Sequence, residues 1–325
     1  MDKRSKWKKA LACAALVASG AIWGGGVVVM KGALDHIPVN CMMALRFTVG
    51  ALATGVFLFR GRSRIGGGLI WRGALLGVAQ YAAFAMGTYG LLYTTAGKNS
   101  MLMGTYVIIV PFFVWMVRKV RPKLKVLLAA ALCVGGIILL CMGGAPGAEA
   151  AGFNLGDLLS CGSSVAFAMA LTLSNIFFEK HDVMQLTCIQ FSTTAVISWA
   201  ATLLFETFPR AFTPDMWGAM AYICLAGTVV AMTLQNMGLK QTDSALGALL
   251  LSTESPFGVI LAAIFLKEVL NGRMVIGCLL IVAAIVLAQV EPERLRGRLR
   301  KKPPAAEAET AEGGEIQHGE DAGGI

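Results

Sequence analysis

Apolar residues fall along this chain in long continuous runs, broken by brief polar stretches. Ten such runs follow one another, at 10–30, 41–59, 69–92, 100–117, 124–144, 155–178, 186–208, 216–238, 245–266 and 274–290. A helix of roughly 17–25 apolar residues, rising ~1.5 Å per residue, crosses a hydrocarbon core about 30 Å thick. The pattern therefore predicts an all-α integral membrane protein of ten transmembrane helices with short connections. The first run resembles a signal-peptide core, but it is long for one and nine further spans follow, so it reads as helix 1. Beyond residue 290 apolar positions nearly vanish. The tail is basic, then acidic, and rich in Gly, Ala, Glu and Pro, which predicts disorder over 291–325.

Composition agrees. The 325 residues are 56% apolar and 14% charged, where soluble domains average roughly 45–50% and 25%. A net charge of +9 suggests nucleic acid until the basic residues are placed. With the N-terminus on the cytoplasmic side, 22 of the 28 Lys and Arg fall in cytoplasmic segments and five outside, with Arg46 inside helix 2. That asymmetry predicts the cytoplasmic membrane with both termini inside, and anionic lipid headgroups rather than nucleic acid as partners of the charge. Eight Cys occur singly, without a CxxC pair, and three His are far apart. Neither metal nor cofactor is indicated.

Ten spans divide into two sets of five, and an odd number places homologous halves in opposite orientations. The predicted order is a basic N-terminus (1–9), a first five-helix repeat (10–144), a second (145–290) and the tail. Gly90–Thr95 (GLLYTT) resembles Gly238–Asp243 (GLKQTD). That offset sets Tyr106 opposite Glu254, with Pro111 and Pro256 following. Trp23 corresponds more loosely to Phe167, and Lys31 to Asn175. Inverted repeats are the usual scaffold of secondary transporters, with the solute site near the midplane.

Glu254 is the only ionisable group in its span, about ten residues or ~15 Å from the start. A carboxyl at that depth needs a proton, a partner or water. Either it binds a proton or a solute amine, or it stays protonated and bonds backbone loosened by Pro256. Arg46 lies about six residues inside helix 2, placed to snorkel outward or to pair with an acid or a carbonyl. Lys31 and Lys98 sit at outer helix ends as anchors, or as a carboxylate site at the mouth. Polar side chains at helical spacing mark helices 6 (Ser160, Ser164, Asn175), 7 (Gln190, Thr194, Ser198) and 8 (Thr228, Gln235). Small ones suit packing, whereas Asn175, Gln190 and Gln235 are candidates for a cavity wall. Trp23, Tyr89 and Tyr106 are aromatic candidates for the same wall. Gly24 and Gly25 permit close approach or hinging.

These residues resemble the EamA-like branch of the drug/metabolite transporter superfamily over nearly all of 10–290. The resemblance is carried by Trp23-Gly24 with Lys31, Arg46-Phe47, Tyr93–Ser100 leading to Tyr106 and Pro111, and above all the block from Gln235 to Gln289 with its TESPFG and FLKE. Two departures are Ser255 between the acid and its proline, and Lys267 where the family often has glycine. The resemblance implies a ten-helix inverted-repeat carrier of small organic solutes such as amino acids, metabolites or drugs, as a monomer or homodimer. A membrane enzyme and a channel are the alternatives. Asp157 follows Asn154-Leu155-Gly156 and so lacks a GxGD motif. No G-x-S-x-G or H-E-x-x-H is present. Gly97-Lys98 has Leu92 where a phosphate loop needs glycine. No filter loop or soluble domain marks a channel or receptor.

Overall fold

The computed structural model describes residues 3–60, 65–119, 121–141, 154–208, 213–267 and 271–289. The expected repeat junction at 144/145 and the tail over 291–325 lie outside these. Among the described residues every regular element is helical. Eight segments are long and apolar enough to cross a membrane: Trp7–Ala33, Val39–Leu58, Gly67–Tyr93, Ala96–Arg118, Leu155–Lys180, Val183–Phe205, Pro214–Gln241 and Ser244–Phe265. Two shorter apolar helices, Leu124–Gly136 and Gly272–Ala284, occupy the fifth and tenth expected runs. Ten spans were expected, and among the described residues eight reach crossing length.

The first three helices are α1 (Lys3–Ala33), α2 (Val39–Arg60) and α3 (Gly67–Tyr93). The fourth run was read as one helix but forms two, α4 (Ala96–Met103) and α5 (Tyr106–Arg118). Next come α6 (Leu124–Cys141), α7 (Leu155–Lys180) and α8 (Val183–Phe205). The eighth run comprises α9 (Pro214–Ala221), a π-helical stretch (Tyr222–Val230) and α10 (Ala231–Gln241). The ninth again splits, into α11 (Ser244–Leu251) and α12 (Glu254–Phe265), before α13 (Gly272–Gln289).

The two splits share one local cause. At Gly104-Thr105 and at Ser252-Thr253 the chain tightens into i→i+3 bonds, Thr105 N to Leu102 O and Thr253 N to Leu250 O. Each threonine hydroxyl donates back to the same carbonyl, at 2.7 and 2.8 Å. A hydroxyl that bonds the preceding turn competes with the regular helical ladder and bends it. Pro256 is not the cause. It is the third residue of α12, in the first turn, where a missing N–H removes no helical bond. Pro111 lies inside α5 and does remove one.

The geometry around the splits occurs twice with a constant offset of 148 residues, as from Tyr106 to Glu254. Thr95 and Asp243 cap α4 and α11 through their side chains. Thr94 and Thr242 end α3 and α10 in extended conformation. Among the described residues, Lys119 and Lys267 are the non-glycine positions with positive φ, at 56° and 55°, beyond α5 and α12. Lys267 thus occupies the left-handed conformation that glycine adopts most easily.

Helix α3 packs on α7 and α8, α2 on α8, α1 on α10 and α12, and α6 on α13. Phe47, Tyr106, Phe178 and Phe191 are fully buried between them. Apolar side chains such as Leu203, Leu204 and Phe205 remain exposed, as lipid contact requires. Helix α1 lies close upon α12: a Cβ on Gly24 would lie 2.7 Å from Gly258 N and 2.8 Å from Glu254 O. A Cβ on Gly25 would meet the Tyr222 hydroxyl at 2.8 Å. Gly24→Val is expected to lower stability by about 1–3 kcal/mol through overpacking. Gly55→Ala, with nothing within 4 Å of the added carbon, is expected to be neutral or slightly stabilising. Thermal unfolding in detergent checks both, and equal midpoints for the two variants would contradict the contact.

Candidate functional site

A cavity of about 40 Å³ lies among α1, α2, α3, α4, α5, α7, the π-helical stretch and α12. A single water needs ~10–15 Å³, so the space admits a few waters or one small head group. Its wall is mostly apolar. Trp23, Phe84 and Phe167 meet edge to face with centroids 5.8–6.4 Å apart, and Tyr106 joins Phe167 at 4.9 Å. Such pairs hold rings in defined orientations.

Into this wall the splits and the π-helical stretch bring polar groups. Glu254 opens α12 and lines the cavity at 6% exposure. No hydrogen bond or ion pair to its carboxyl occurs among the described residues. Tyr106 opens α5, and its hydroxyl is buried without a partner. The π-helical stretch loosens the α-helical ladder, and its groups are taken up from outside. Trp23 Nε1 donates to Gly227 O at 2.8 Å, and Arg46 Nε donates to Thr228 Oγ1 at 2.8 Å. Arg46 therefore neither snorkels nor meets an acid. It is 2% exposed and lines the cavity, its guanidinium 5.2 and 4.9 Å from the Phe47 and Phe84 ring centres.

Of the residues expected at a solute site, Trp23, Tyr106 and Glu254 come together here, joined by Arg46. Four do not. Asn175 donates to the Leu239 and Thr242 carbonyls at 2.9 and 2.8 Å, closing the end of α10. Lys31 does the same for α3, reaching the Leu91 and Thr94 carbonyls at 2.6 and 2.9 Å. Those carbonyls are the 148-residue counterparts of the other pair, so the loose match of Lys31 with Asn175 has a shared physical role. Gln190 donates to Gln80 Oε1, and Gln235 contacts Asn236 at 3.3 Å. The Tyr89 hydroxyl donates to Glu206 Oε1 at 3.1 Å and accepts from Asn40 Nδ2 at 2.6 Å. Glu206 also accepts the Asn40 and Cys41 backbone N–H groups at 2.8 and 2.9 Å, capping α2.

Nothing in the sequence marks Glu206, and Asp157 is weighed there only against a GxGD motif, not as a helix cap or ion-pair partner. Asp157 is fully buried, accepts Lys98 Nζ at 2.6 Å and Thr94 Oγ1 at 3.1 Å, and caps α7 with Asn154. The Asn-x-x-Asp spacing at 154–157 was its signal. Lys98 is thus an anchor with a named partner.

The sequence profile of the EamA-like transporter family matches residues 10–142 and 154–289. The chain is 26% identical to an Archaeoglobus fulgidus protein named "Uncharacterized transporter", over 83% of this chain and 82% of that one. It is 22% identical to Protein PecM of Dickeya dadantii (74% and 81% covered) and to a Bacillus subtilis protein named "Uncharacterized transporter YetK" (91% and 90%). A solved crystal structure superposes with a TM-score of 0.68 at 19% identity, over 89% of this chain and 98% of that one, which is likeness of fold.

The Lys98–Asp157 pair carries a stability prediction. Lys98→Met leaves a fully buried carboxylate without its cation and is expected to cost on the order of 3 kcal/mol. Adding Asp157→Asn is expected to restore much of it. A double-mutant cycle on thermal unfolding checks this, and additive losses would remove the coupling.

Proposed function

We propose, from the premise that this chain belongs to the EamA-like transporter family, that it is a secondary transporter of small organic solutes. It works by alternating access in the cytoplasmic membrane, with both termini inside. Two inverted five-helix halves, 10–144 and 145–290, enclose the solute site. The 148-residue recurrence supports this division. So does the packing: exchanging the halves turns α3 on α7 into the α10 span on α1, and returns α2 on α8 and α6 on α13 to themselves.

The observation that carries the reading is the placement of Glu254. An acid without a protein partner sits at an interrupted helix beside an aromatic cavity, and its counterpart in the other half is the unpartnered Tyr106 hydroxyl. A structural acid ends in bonds, as Asp157 and Glu206 do. An acid left open to a cavity exchanges a proton or meets a solute. Trp23, Tyr106, Arg46 and Glu254 form the site; Gly24, Gly25, Lys31, Lys98, Pro111 and Pro256 shape and anchor the helices around it.

Saturable solute flux with counterflow in proteoliposomes is expected, without unitary conductance. Glu254→Gln is expected to cut flux at least tenfold or to flatten its dependence between about pH 5.5 and 8. Wild-type flux across that range in the variant would take Glu254 out of the mechanism.

A further inference from the structure

We propose that Arg46 is an anion receptor in this cavity, and that the solute is a small organic carboxylate with a flat apolar body. The proposal rests on the transporter reading and names the substrate class of the same site. An arginine keeps its charge throughout the physiological range. A buried guanidinium is costly unless a counter-charge or several acceptors meet it. Arg46 has neither in full. Its Nε is held by Thr228 Oγ1, and Nη1 has only the Met30 sulfur at 3.7 Å, a weak acceptor. Nη2 has no protein acceptor among the described residues, where the ion pairs are Lys98–Asp157 and Arg118–Glu179. Glu254 shares the cavity yet lies beyond ion-pair distance.

The guanidinium is nonetheless held firmly. Contacts with Phe47 and Phe84 orient its plane, and the Thr228 bond fixes its near edge, leaving the Nη donors for a ligand. A carboxylate accepts two parallel N–H bonds from such a fork, the geometry for which arginine surpasses lysine. Beside the fork stand Trp23, Phe84 and Phe167, whose rings offer apolar contact to a planar body as the cavity widens beyond the head group it now admits. A residue that merely pinned the π-helical stretch would need only its Nε bond.

The test uses the full chain in lipid nanodiscs and proteoliposomes at pH 7, with three probes of one shape: benzoate, benzamide and benzylammonium. Benzoate is expected to raise the unfolding midpoint and to bind at least tenfold more tightly than benzamide, about 1.4 kcal/mol, with benzylammonium weakest. Arg46→Gln is expected to erase the preference of benzoate over benzamide, weakening benzoate at least tenfold. Arg46→Lys is expected to weaken benzoate at least threefold, which tests the fork should the glutamine variant not fold. Thr228→Val, which removes the pin and keeps the charge, is expected to retain the preference for benzoate. Benzamide or benzylammonium matching benzoate, no binding of benzoate at millimolar concentration, or an undiminished preference in Arg46→Gln or Arg46→Lys would each overturn the assignment. Saturable benzylammonium flux with counterflow would overturn it while the transporter reading stands. Benzoate binding without saturable flux of any solute would sink the transporter reading and leave the receptor in place.

Discussion

An apolar span has no water to spare for a polar group, so each buried donor and acceptor in this protein needs an internal partner or a wet space. Most have partners. Asp157 meets Lys98 and a helix start, and Glu206 meets the first turn of α2 and the Tyr89 hydroxyl. Lys31 and Asn175 each close two carbonyls where a helix ends. Arg46 and Glu254 stand apart, one partly bonded and one not at all, and they line the same cavity. The scaffold bonds Asp157 and Glu206 but leaves Arg46, Glu254 and the Tyr106 hydroxyl open around one cavity, which is the ground for proposing that place as the site.

The split helices are how the scaffold delivers those groups. A continuous helix would direct the side chain at position 254 by the phase of the turns before it. The tight turn at Ser252-Thr253 resets that phase, and Gly20 and Gly24 let α1 close upon the turn. A Cβ on Gly20 would meet Thr253 Oγ1 at 2.5 Å. The same device at Gly104-Thr105 delivers Tyr106. The π-helical stretch works similarly from the far side, offering Gly227 O and Thr228 Oγ1 to Trp23 and Arg46.

Hydropathy made the helical runs legible, because burial of the backbone in lipid permits little else. It did not reveal the splits. The run 245–266 reads as one span despite its Ser-Thr-Glu-Ser centre, and the hydroxyls that bend it look like packing residues. Depth along a span was legible too, but not rotation about its axis. Tyr89 lies at a plausible depth yet turns to Asn40 and Glu206. Gln190 and Gln235, counted as cavity candidates for their bulk, turn to other amides because a buried amide gains more from a partner than from an apolar cavity. Arg46 shows the reverse. Depth alone suggested an escape to the interface, and only the tertiary positions of Thr228, Phe47 and Phe84 explain why it stays.

The remaining anchors bear on how such a site opens. On the proposed division, Lys31 and Asn175 tie the first span of each half to the third, and both bonds persist when the halves move as bodies. Lys98–Asp157 and Asn40–Glu206 tie one half to the other at one end of the helices. Arg118–Glu179 ties them at the opposite end, between the C-termini of α5 and α7. The bridges at both ends are closed in this conformation, consistent with a cavity holding no more than a small head group. On the proposed alternating-access reading, opening to either side requires loss of one set of bridges while the other holds. The exposed Arg118–Glu179 pair contributes little to stability and separates at small cost. The Lys98–Asp157 pair, anchored on a fully buried carboxylate, is the stronger latch in that reading, because parting it strands a buried charge.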